Sequence, residues 1–177
     1  SKLPEILDRF QKEDVTAVAV CLLHAYANPI HEEAVVTAVK DQWPEVSVVA
    51  SHQINREWRE YERTNTTVLS AYVQPIAEKY LTGLETAVEN DGFVGNLYVM
   101  QSNCGVDNLS QSKRIPITMV ESGPASGILA AAELGKAIGE SNILALDIGG
   151  TTAKCSLIEN FEVKIVSDYW IERTPTS

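Results

Sequence analysis

The sequence feature that most constrains the fold is the stretch LALDIGGTTAKCSLI, residues 144–158, where two apolar runs flank two glycines and two threonines. Apolar runs of this length are typical of strands, and adjacent glycines between them favour a tight hairpin turn. A hairpin does not by itself account for Asp147, the carboxylate that ends the first apolar run. The stretch therefore predicts a strand, a turn and a second strand, and leaves the role of its acid to be explained.

A phosphate-binding turn is the second interpretation of this stretch. Glycine N–H groups can approach a phosphate closely and threonine hydroxyls can donate to it, which makes Gly149, Gly150, Thr151 and Thr152 candidate phosphate contacts. Asp147 could then hold Mg²⁺, directly or through water, and the metal would offset the phosphate charge. The motif alone does not separate a plain turn from a phosphate site.

A segment rich in small residues, ESGPASGILAAAELG, precedes the hairpin and predicts a helix. Ser122 is a candidate N-cap, and Pro124 suits the first helical turn. Small side chains permit close backbone approach, which would serve tight packing of this helix on a sheet. They would equally allow Ser122, Gly123 and Gly127 to lie against an anion, because free N–H groups at a helix start favour negative charge. Both interpretations stay open.

The first half of the chain alternates helices and strands. Apolar spacing predicts a helix over residues 3–15, a buried strand over 16–26, a helix that Pro44 ends, and a second strand over 46–51. A strand, a helix and a strand in this order favour parallel strands joined by a crossover helix. A further strand is predicted at 96–106, and its end is rich in turn formers, where open α/β sheets usually bind ligands.

A long segment that follows the second strand has two different halves. In its second half, one helical stripe carries Ile76, Tyr80, Leu81, Leu84 and Val88, and we expect this stripe to be buried. The first half carries a crowded set of charges: Arg56, Glu57, Arg59, Glu60, Glu62 and Arg63. Ion pairs on a solvated helix are the simpler interpretation of these charges, and recognition of a polar substrate is the alternative.

Composition excludes several classes of partner. The 177 residues carry a net charge of −10, so the chain would repel nucleic acid and anionic membranes. The sequence shows no apolar run long enough for a membrane span and no signal peptide at its start, and we expect a cytoplasmic location. Three widely spaced cysteines argue against a disulfide framework. Cys21 and His24 would point to opposite faces of the predicted strand and could not share a metal.

The order of the small-residue helix, the strand and DIGGTT resembles the connecting helix and second phosphate hairpin of the actin, Hsp70 and sugar-kinase superfamily of ATPases. In that superfamily two domains of ribonuclease H-like fold close on ATP, and each contributes one phosphate hairpin. The resemblance implies an α/β, actin-like ATPase fragment with a mixed sheet and flanking helices. Residues 1–120 would end the first ATPase-like domain. Residues 121–177 would supply the connecting helix and the hairpin that start the second.

Five segments narrow the resemblance to the hydantoinase A and 5-oxoprolinase family, which includes N-methylhydantoinase subunits and related ketone carboxylase subunits. They are HAYANPIHEEAV, SHQINREWREYERTNTTVLSAYVQPI, MQSNCGV, ESGPASGILAA and DIGGTTAKCSLI, and they occur in the family's order. The resemblance implies ATP-dependent opening of a cyclic amide such as a hydantoin or 5-oxoproline, through phosphorylation of a carbonyl oxygen. It also implies Mg²⁺ and a hydantoinase B-type partner subunit or domain.

The resemblance also assigns roles to residues. Asp147 would be catalytic and hold Mg²⁺, while Glu60 and Arg63, which lie in a charged family motif, would act on the substrate side. The nucleotide would contact Ser122, Gly123, Gly127, Gly149, Gly150, Thr151 and Thr152.

Two residues depart from the family's pattern. Cys104 follows Asn103 where the family usually has the first of two glycines, and Lys154 stands where the family commonly has an acid. These departures motivate one alternative, a non-catalytic nucleotide-binding subunit. The other alternative is an ATP-dependent ketone carboxylase subunit of the acetone or acetophenone type. The isolated 177 residues are expected to be inactive, because the family's amino-terminal phosphate hairpin and its adenine-binding part are missing from them.

Overall fold

The computed structural model describes residues 2–150 and 152–164. They form two compact units. The first unit comprises the described residues up to Val99 together with Asp107–Val120, and the second comprises Met100–Val106 and the described residues from Glu121 onward. Both units mix helices and strands, as the sequence predicted, and the assignment of the chain to parts of two ATPase domains stays a prediction.

The first unit is built around a pair of parallel strands. Its elements are α1 (Leu3–Lys12), β1 (Ala17–Val20), α2 (Ile30–Gln42), β2 (Ser47–Ala50), α3 (Ser51–Ile54), α4 (Glu60–Asn90), α5 (Leu109–Arg114) and a 3-10 turn (Pro116–Met119). Strands β1 and β2 pair in parallel from Ala17 opposite Ser47 to Val20 opposite Ala50, and α2 connects them. The predicted parallel crossover is therefore confirmed.

Apolar side chains of α1, of α2 and of the residue that precedes β2 form the core of this unit. Leu7, Val39 and Val46 are buried together, and Trp43 and Val18 pack against them. Burial of each large side chain contributes about 1.5–3 kcal/mol. This core fixes α2 against the sheet, so the first turn of α2 lies at a defined place relative to the strand ends.

The predicted strand over residues 16–26 is shorter than expected. Strand β1 ends at Val20, and a turn follows in which His24 has a left-handed backbone, φ 59°. The N–H of Ala27 donates to the carbonyl of His24 at 3.1 Å. The prediction that Cys21 and His24 face opposite sides of one strand was therefore wrong, because neither residue lies in the strand.

Helix α4 runs unbroken for 31 residues, with Pro75 inside it. Its expected buried stripe was wrong: Leu81 is 2% exposed, but Ile76 and Tyr80 are 69% and 68% exposed. Besides Leu81, the buried face carries Arg63, Thr67, Ser70 and Ala71. The side chains of Thr67, Ser70 and Ala71 are small, which permits close packing, and α4 contacts β1 and β2. None of the described helices combines the length and apolar character that a membrane span requires.

The second unit is an antiparallel sheet packed on one helix. It contains α6 (Ser122–Ile138), β5 (Ile143–Ile148), β6 (Ala153–Glu159) and β7 (Glu162–Val163), with strand order β5-β6-β7. Short strands β3 (Tyr98–Met100) and β4 (Val106–Asn108) pair with each other where the chain passes between units. The described residues thus form three small sheets where a mixed sheet was predicted: β1 and β2 pair only with each other, in parallel, and β5, β6 and β7 pair antiparallel.

Helix α6 approaches β5 closely at its carboxyl-terminal end. A Cβ added to Gly135 would lie 2.4 Å from Cδ1 of Ile143 and 2.7 Å from the carbonyl oxygen of Glu140. Gly139 then ends the helix with a left-handed φ of 80°, a conformation that glycine adopts without steric cost. Tight packing on the sheet therefore explains the small residues in this half of the helix.

Candidate functional site

Buried polar side chains meet at the carboxyl ends of β1 and β2 in the first unit. We name this group the Arg63 cluster and define it as Glu32, Ser51, His52, Glu60 and Arg63. The side chains of Glu32 and Arg63 are completely buried, and Glu60 is 35% exposed. The carboxyl ends of parallel strands are the usual location of ligand sites in α/β proteins, and the cluster occupies this position.

The guanidinium of Arg63 is bonded entirely within the chain. Its Nε donates to Oγ of Ser51 at 3.0 Å, and Nη1 donates to the carbonyl of Glu57 at 2.7 Å. Its Nη2 donates to the carbonyl of Leu22 at 3.0 Å and pairs with the carboxylate of Glu60. These bonds tie α4 to the segments that follow β1 and β2.

Glu32, on the first turn of α2, accepts four hydrogen bonds. Its Oε1 accepts from the N–H of Leu22 at 2.8 Å and from Oγ of Ser51 at 2.6 Å. Its Oε2 accepts from the N–H of His52 at 3.0 Å and lies 2.7 Å from Nδ1 of the same residue. Burial opposes ionisation of this carboxylate, but the hydrogen bonds from Ser51, His52 and Leu22 outweigh burial and lower the pKa of Glu32.

Glu60 connects the cluster to the exposed turn after β1. Its Oε1 accepts from the N–H of His24 at 3.1 Å, in the left-handed turn. That hydrogen bond, and then the pairing with Arg63, lower the pKa of Glu60 despite some desolvation. The guanidinium carbon of Arg63 also lies 5.6 Å from the centre of the Tyr26 ring. A cation over an aromatic face adds to the anchoring of this turn.

The structure changes the interpretation of the charged segment. Arg63 is not on a solvated helix face, so that interpretation is wrong for this residue, although Arg59 and Glu62 do form an exposed pair at 3.7 Å. The role of Glu60 and Arg63 on the substrate side stays a prediction. Sequence reasoning missed Glu32, Ser51 and His52 as members of the cluster. The sequence pattern pointed to them only weakly: Ser51 and His52 come directly after β2, and Glu32 lies in the first turn of α2.

The hairpin of the second unit forms as predicted. Strands β5 and β6 pair antiparallel, with Ile148 opposite Ala153 as the last pair before the turn. The N–H of Gly149 donates to the carbonyl of Thr152 at 2.9 Å and closes the turn. Thr151, a predicted phosphate contact, lies outside the described residues.

Asp147 and the predicted glycines of the second unit lie in open surroundings. Asp147 is exposed, and its carboxylate has no hydrogen bond or ion pair with any other described residue. A Cβ added to Gly123, Gly127 or Gly150 would meet nothing within 4 Å, and one added to Gly149 would meet only the carbonyl oxygen of Thr152, at 3.6 Å. Packing within the described residues therefore does not require glycine at these four positions, in contrast to Gly135.

The start of α6 differs from the predicted cap. Ser122 is the first residue of the helix and not its N-cap, because Glu121 occupies the cap position with a left-handed φ of 67°. The carboxylate of Glu121 forms an ion pair with the ammonium of Lys154 on β6. Lys154 in turn is the direct cross-strand partner of Asp147. The residue that departs from the family's pattern is thus held by the start of α6.

The donor set at the hairpin fits one kind of metal site. Among the residues that the structure describes, no three His, Cys, Asp or Glu side chains gather as a metal cage. Mg²⁺ is commonly held by one or two carboxylates, with phosphate and water as its other ligands. Asp147 is a single accessible carboxylate beside an open glycine turn, which suits a cation that arrives with a nucleotide.

The second departure from the family's pattern has a backbone explanation. Cys104 has a left-handed φ of 67°, a conformation that favours glycine. Its Sγ lies 3.5 Å from the carbonyl oxygen of Ala125 on α6. The geometry therefore suits a glycine at position 104, and the present chain adopts this left-handed conformation with a cysteine side chain.

Comparison with protein families identifies matches along most of the chain. The model of the hydantoinase/oxoprolinase family matches residues 63–177, and that of the hydantoinase/oxoprolinase N-terminal region matches residues 1–43. An uncharacterized protein of Methanocaldococcus jannaschii is 39% identical over 95% of this chain and 25% of its own length. The caprolactamase subunit alpha of Pseudomonas jessenii is 30% identical over 85% of this chain and 22% of its own length.

A solved structure supports the same relationship. The nucleotide-free structure of an acetone carboxylase, described as a study of ATP-dependent acetone carboxylation, matches with a TM-score of 0.79 and 28% identity, over 90% of this chain and 23% of that one. The chain therefore spans about a quarter of the length of these relatives. Since the family model covers more than half of its residues, the chain belongs to the hydantoinase/oxoprolinase family.

Proposed function

We propose that the chain is part of an ATP-dependent enzyme that opens a cyclic amide, with an actin-like ATPase fold completed by further polypeptide. The observation that carries the proposal is the open turn at Asp147, Gly149 and Gly150, where a carboxylate without a partner among the described residues lies beside glycines that their packing does not require. The caprolactamase relative supports a cyclic amide as substrate, because caprolactam is one.

The chemistry of a ring amide explains the need for ATP. An unstrained cyclic amide is a poor electrophile. Transfer of the γ-phosphoryl group of ATP to its carbonyl oxygen would release ADP and make the carbon more reactive towards water. Water would then add to that carbon, the ring C–N bond would break, and a second water would release phosphate from the acyl phosphate. Asp147 would hold Mg²⁺, and N–H groups of the turn other than that of Gly149, which already donates to the carbonyl of Thr152, would donate to phosphate oxygens. The phosphate contacts we propose are Ser122, Gly123, Gly127, Gly149, Gly150, Thr151 and Thr152.

On the substrate side, we propose different roles for the two charged residues of α4. Glu60 is partly exposed and ionised, so it is the member of the pair that could face a substrate. Arg63 is fully buried and would act through Glu60, by fixing the direction of its carboxylate. The relative named subunit alpha supports a partner subunit, which we propose is of the hydantoinase B type.

A ketone carboxylase is the second candidate, and the structural match to acetone carboxylase favours it. Phosphorylation of an enolate oxygen would use the same nucleotide site. The two candidates differ in the acceptor of the phosphoryl group and therefore in the co-substrate that stimulates ATP hydrolysis.

The test uses the complete protein from the open reading frame, purified with any subunit that accompanies it. ATP hydrolysis is measured with hydantoin, 5-oxoproline or caprolactam, and separately with acetone plus bicarbonate. Stimulation by a cyclic amide, lost in Asp147→Asn, supports the first candidate, whereas stimulation only by ketone plus bicarbonate supports the second. Absence of nucleotide turnover under all conditions would favour the non-catalytic subunit.

The 177 residues alone should not turn over ATP. The nucleotide contacts we propose correspond to one of the two phosphate hairpins that the superfamily resemblance implies, so half of the nucleotide site would be missing. Multiple-turnover ATP hydrolysis by these residues, abolished by Asp147→Asn, would contradict this expectation.

A further inference from the structure

The hairpin places a base directly across from its acid. Asp147 and Lys154 are paired residues of the antiparallel ladder, so their side chains lie on the same face of the sheet. The Cβ atoms of such partners are about 4.5–5.5 Å apart, within easy reach of a lysine ammonium. Left to itself, Lys154 would be expected to neutralise Asp147 and compete with any cation for its carboxylate.

The structure shows a different partner for this lysine. The ammonium of Lys154 pairs with the carboxylate of Glu121, and both side chains are about one-third exposed, at 31% and 34%. No ion pair joins Lys154 to Asp147, although both residues lie within the described part of the chain. Glu121 therefore holds the base that would otherwise be available to Asp147.

The position of Glu121 is itself unusual. It precedes α6 in a left-handed conformation, φ 67°, which is unfavourable for a residue with a Cβ atom. Its side chain forms no hydrogen bond to the free N–H groups of the helix start. The carboxylate is directed to the sheet instead, where it meets Lys154.

We propose that Glu121 is a positioning residue that holds Lys154 away from Asp147 and so keeps the Asp147 carboxylate free for a divalent cation. This inference rests on the proposed function, since it concerns the cation that accompanies the nucleotide. The same ion pair joins the start of α6 to β6, and thereby fixes the two parts of the second unit that carry the predicted nucleotide contacts.

The experiment measures cation binding and needs no turnover. Mn²⁺ serves as the probe for Mg²⁺, and its binding to the complete protein in the presence of a non-hydrolysable ATP analogue is followed by electron paramagnetic resonance. The variants are Glu121→Gln, Lys154→Met, the double variant and Asp147→Asn. Glu133→Gln is the matched control, because it breaks an exposed pair with Lys136 on the same helix.

We expect Glu121→Gln to weaken Mn²⁺ binding about tenfold, because the released ammonium would pair with Asp147. Addition of Lys154→Met should restore the affinity, and the Glu133→Gln control should bind as the wild type does. Rescue in the double variant distinguishes positioning from a purely structural defect, which the loss of Lys154 would not repair. Unchanged affinity in Glu121→Gln, or a loss that Lys154→Met does not rescue, would overturn the inference.

Failure of the proposed function gives a different result. If Asp147→Asn binds Mn²⁺ as tightly as the wild type does, Asp147 is not the cation ligand, and the proposed function and this inference both fail. If Asp147→Asn abolishes binding while Glu121→Gln has no effect, the inference about Glu121 alone fails.

Discussion

The Arg63 cluster of the first unit and the hairpin of the second unit both combine acids with a base, but they use them in opposite ways. In the cluster, the side chains of Arg63 and Glu32 are completely buried and form hydrogen bonds to other residues of the chain. In the hairpin, Asp147 is exposed and has no partner among the described residues. A buried charge that is fully bonded stabilises a fold, whereas an accessible carboxylate without a partner is available to a ligand.

The largest effect is expected from removal of Arg63. Arg63→Ala would leave the buried Ser51 hydroxyl and the part-buried carbonyls of Leu22 and Glu57 without their donor. We expect a loss of about 3–5 kcal/mol in the free energy of unfolding, measured by denaturant unfolding of the complete protein. Arg59→Ala is the control, since its exposed pair should contribute less than about 0.5 kcal/mol. Equal effects of the two substitutions would show that the cluster is not the anchor described.

The pH dependence of stability tests whether the hydrogen bonds of the Arg63 cluster stabilise the ionised carboxylate of Glu32. Because the folded-state pKa of Glu32 is lowered, its contribution to stability is fully present above the unfolded-state pKa of about 4.3. That contribution is lost as the pH falls from this value through the folded-state pKa. Unfolding free energies measured from neutral pH down to acidic pH should therefore fall more steeply for the wild type than for Glu32→Gln.

The exposed neighbour Glu33 supplies the control for this pH series. Glu33→Gln should follow the wild-type curve, because the side chain of Glu33 is 58% exposed and that of Glu32 is not exposed at all. Parallel curves for the wild type and Glu32→Gln would mean that the hydrogen bonds of Glu32 do not stabilise its ionised form.

Two glycines of α6 sharpen the comparison within one helix. Gly135→Ala should destabilise the protein by about 1–3 kcal/mol, because its Cβ would overlap Ile143 and the backbone at Glu140. Gly127→Ala should leave the stability unchanged or raise it slightly, since open space surrounds this position and alanine favours helix. Nucleotide affinity should fall in Gly127→Ala and stay unchanged in Gly135→Ala. A loss of affinity in Gly135→Ala alone would argue against a nucleotide at Gly127.

The smallest effect is expected at Cys104. Cys104→Gly should stabilise the protein by up to about 1 kcal/mol, because glycine relieves the left-handed conformation at a modest entropic cost. Cys104→Ala keeps a Cβ atom and should show no such gain. If both variants gained the same stability, the cause would be removal of the sulfur and not relief of the backbone conformation.

The parts of the fold that the sequence predicted well are those set by local pattern. Two apolar runs around Gly149 and Gly150 were enough for the hairpin, and alternating helix and strand signals were enough for the parallel pair β1 and β2. The buried face of α4, which includes Thr67, Ser70 and Ala71, could not be predicted from the sequence. It depends on contacts with the distant strands β1 and β2, whereas the apolar side chains of Ile76 and Tyr80 are exposed.

The candidate sites likewise include residues that a local sequence pattern indicates and contacts that form only between distant parts of the sequence. Asp147 could be picked out as a candidate because an acid beside glycines interrupts an apolar run. The partners of Arg63 come from residues up to 41 positions away, and no local pattern connects Leu22 with α4. The pairing of Lys154 with Glu121 likewise depends on how α6 packs on β6, so a lysine that looked like a simple departure gained a specific partner only in three dimensions.

The most direct test of the account is nucleotide binding by the complete protein. Affinity for a non-hydrolysable ATP analogue is measured by calorimetry with and without Mg²⁺, for the wild type, Asp147→Asn and Arg59→Ala. The account predicts that Asp147→Asn lowers the Mg²⁺-dependent affinity about tenfold or more and leaves the unfolding midpoint unchanged. Arg59→Ala should change neither the affinity nor the midpoint. Equal Mg²⁺-dependent affinity in the wild type and Asp147→Asn would contradict the assignment of this hairpin as a nucleotide site.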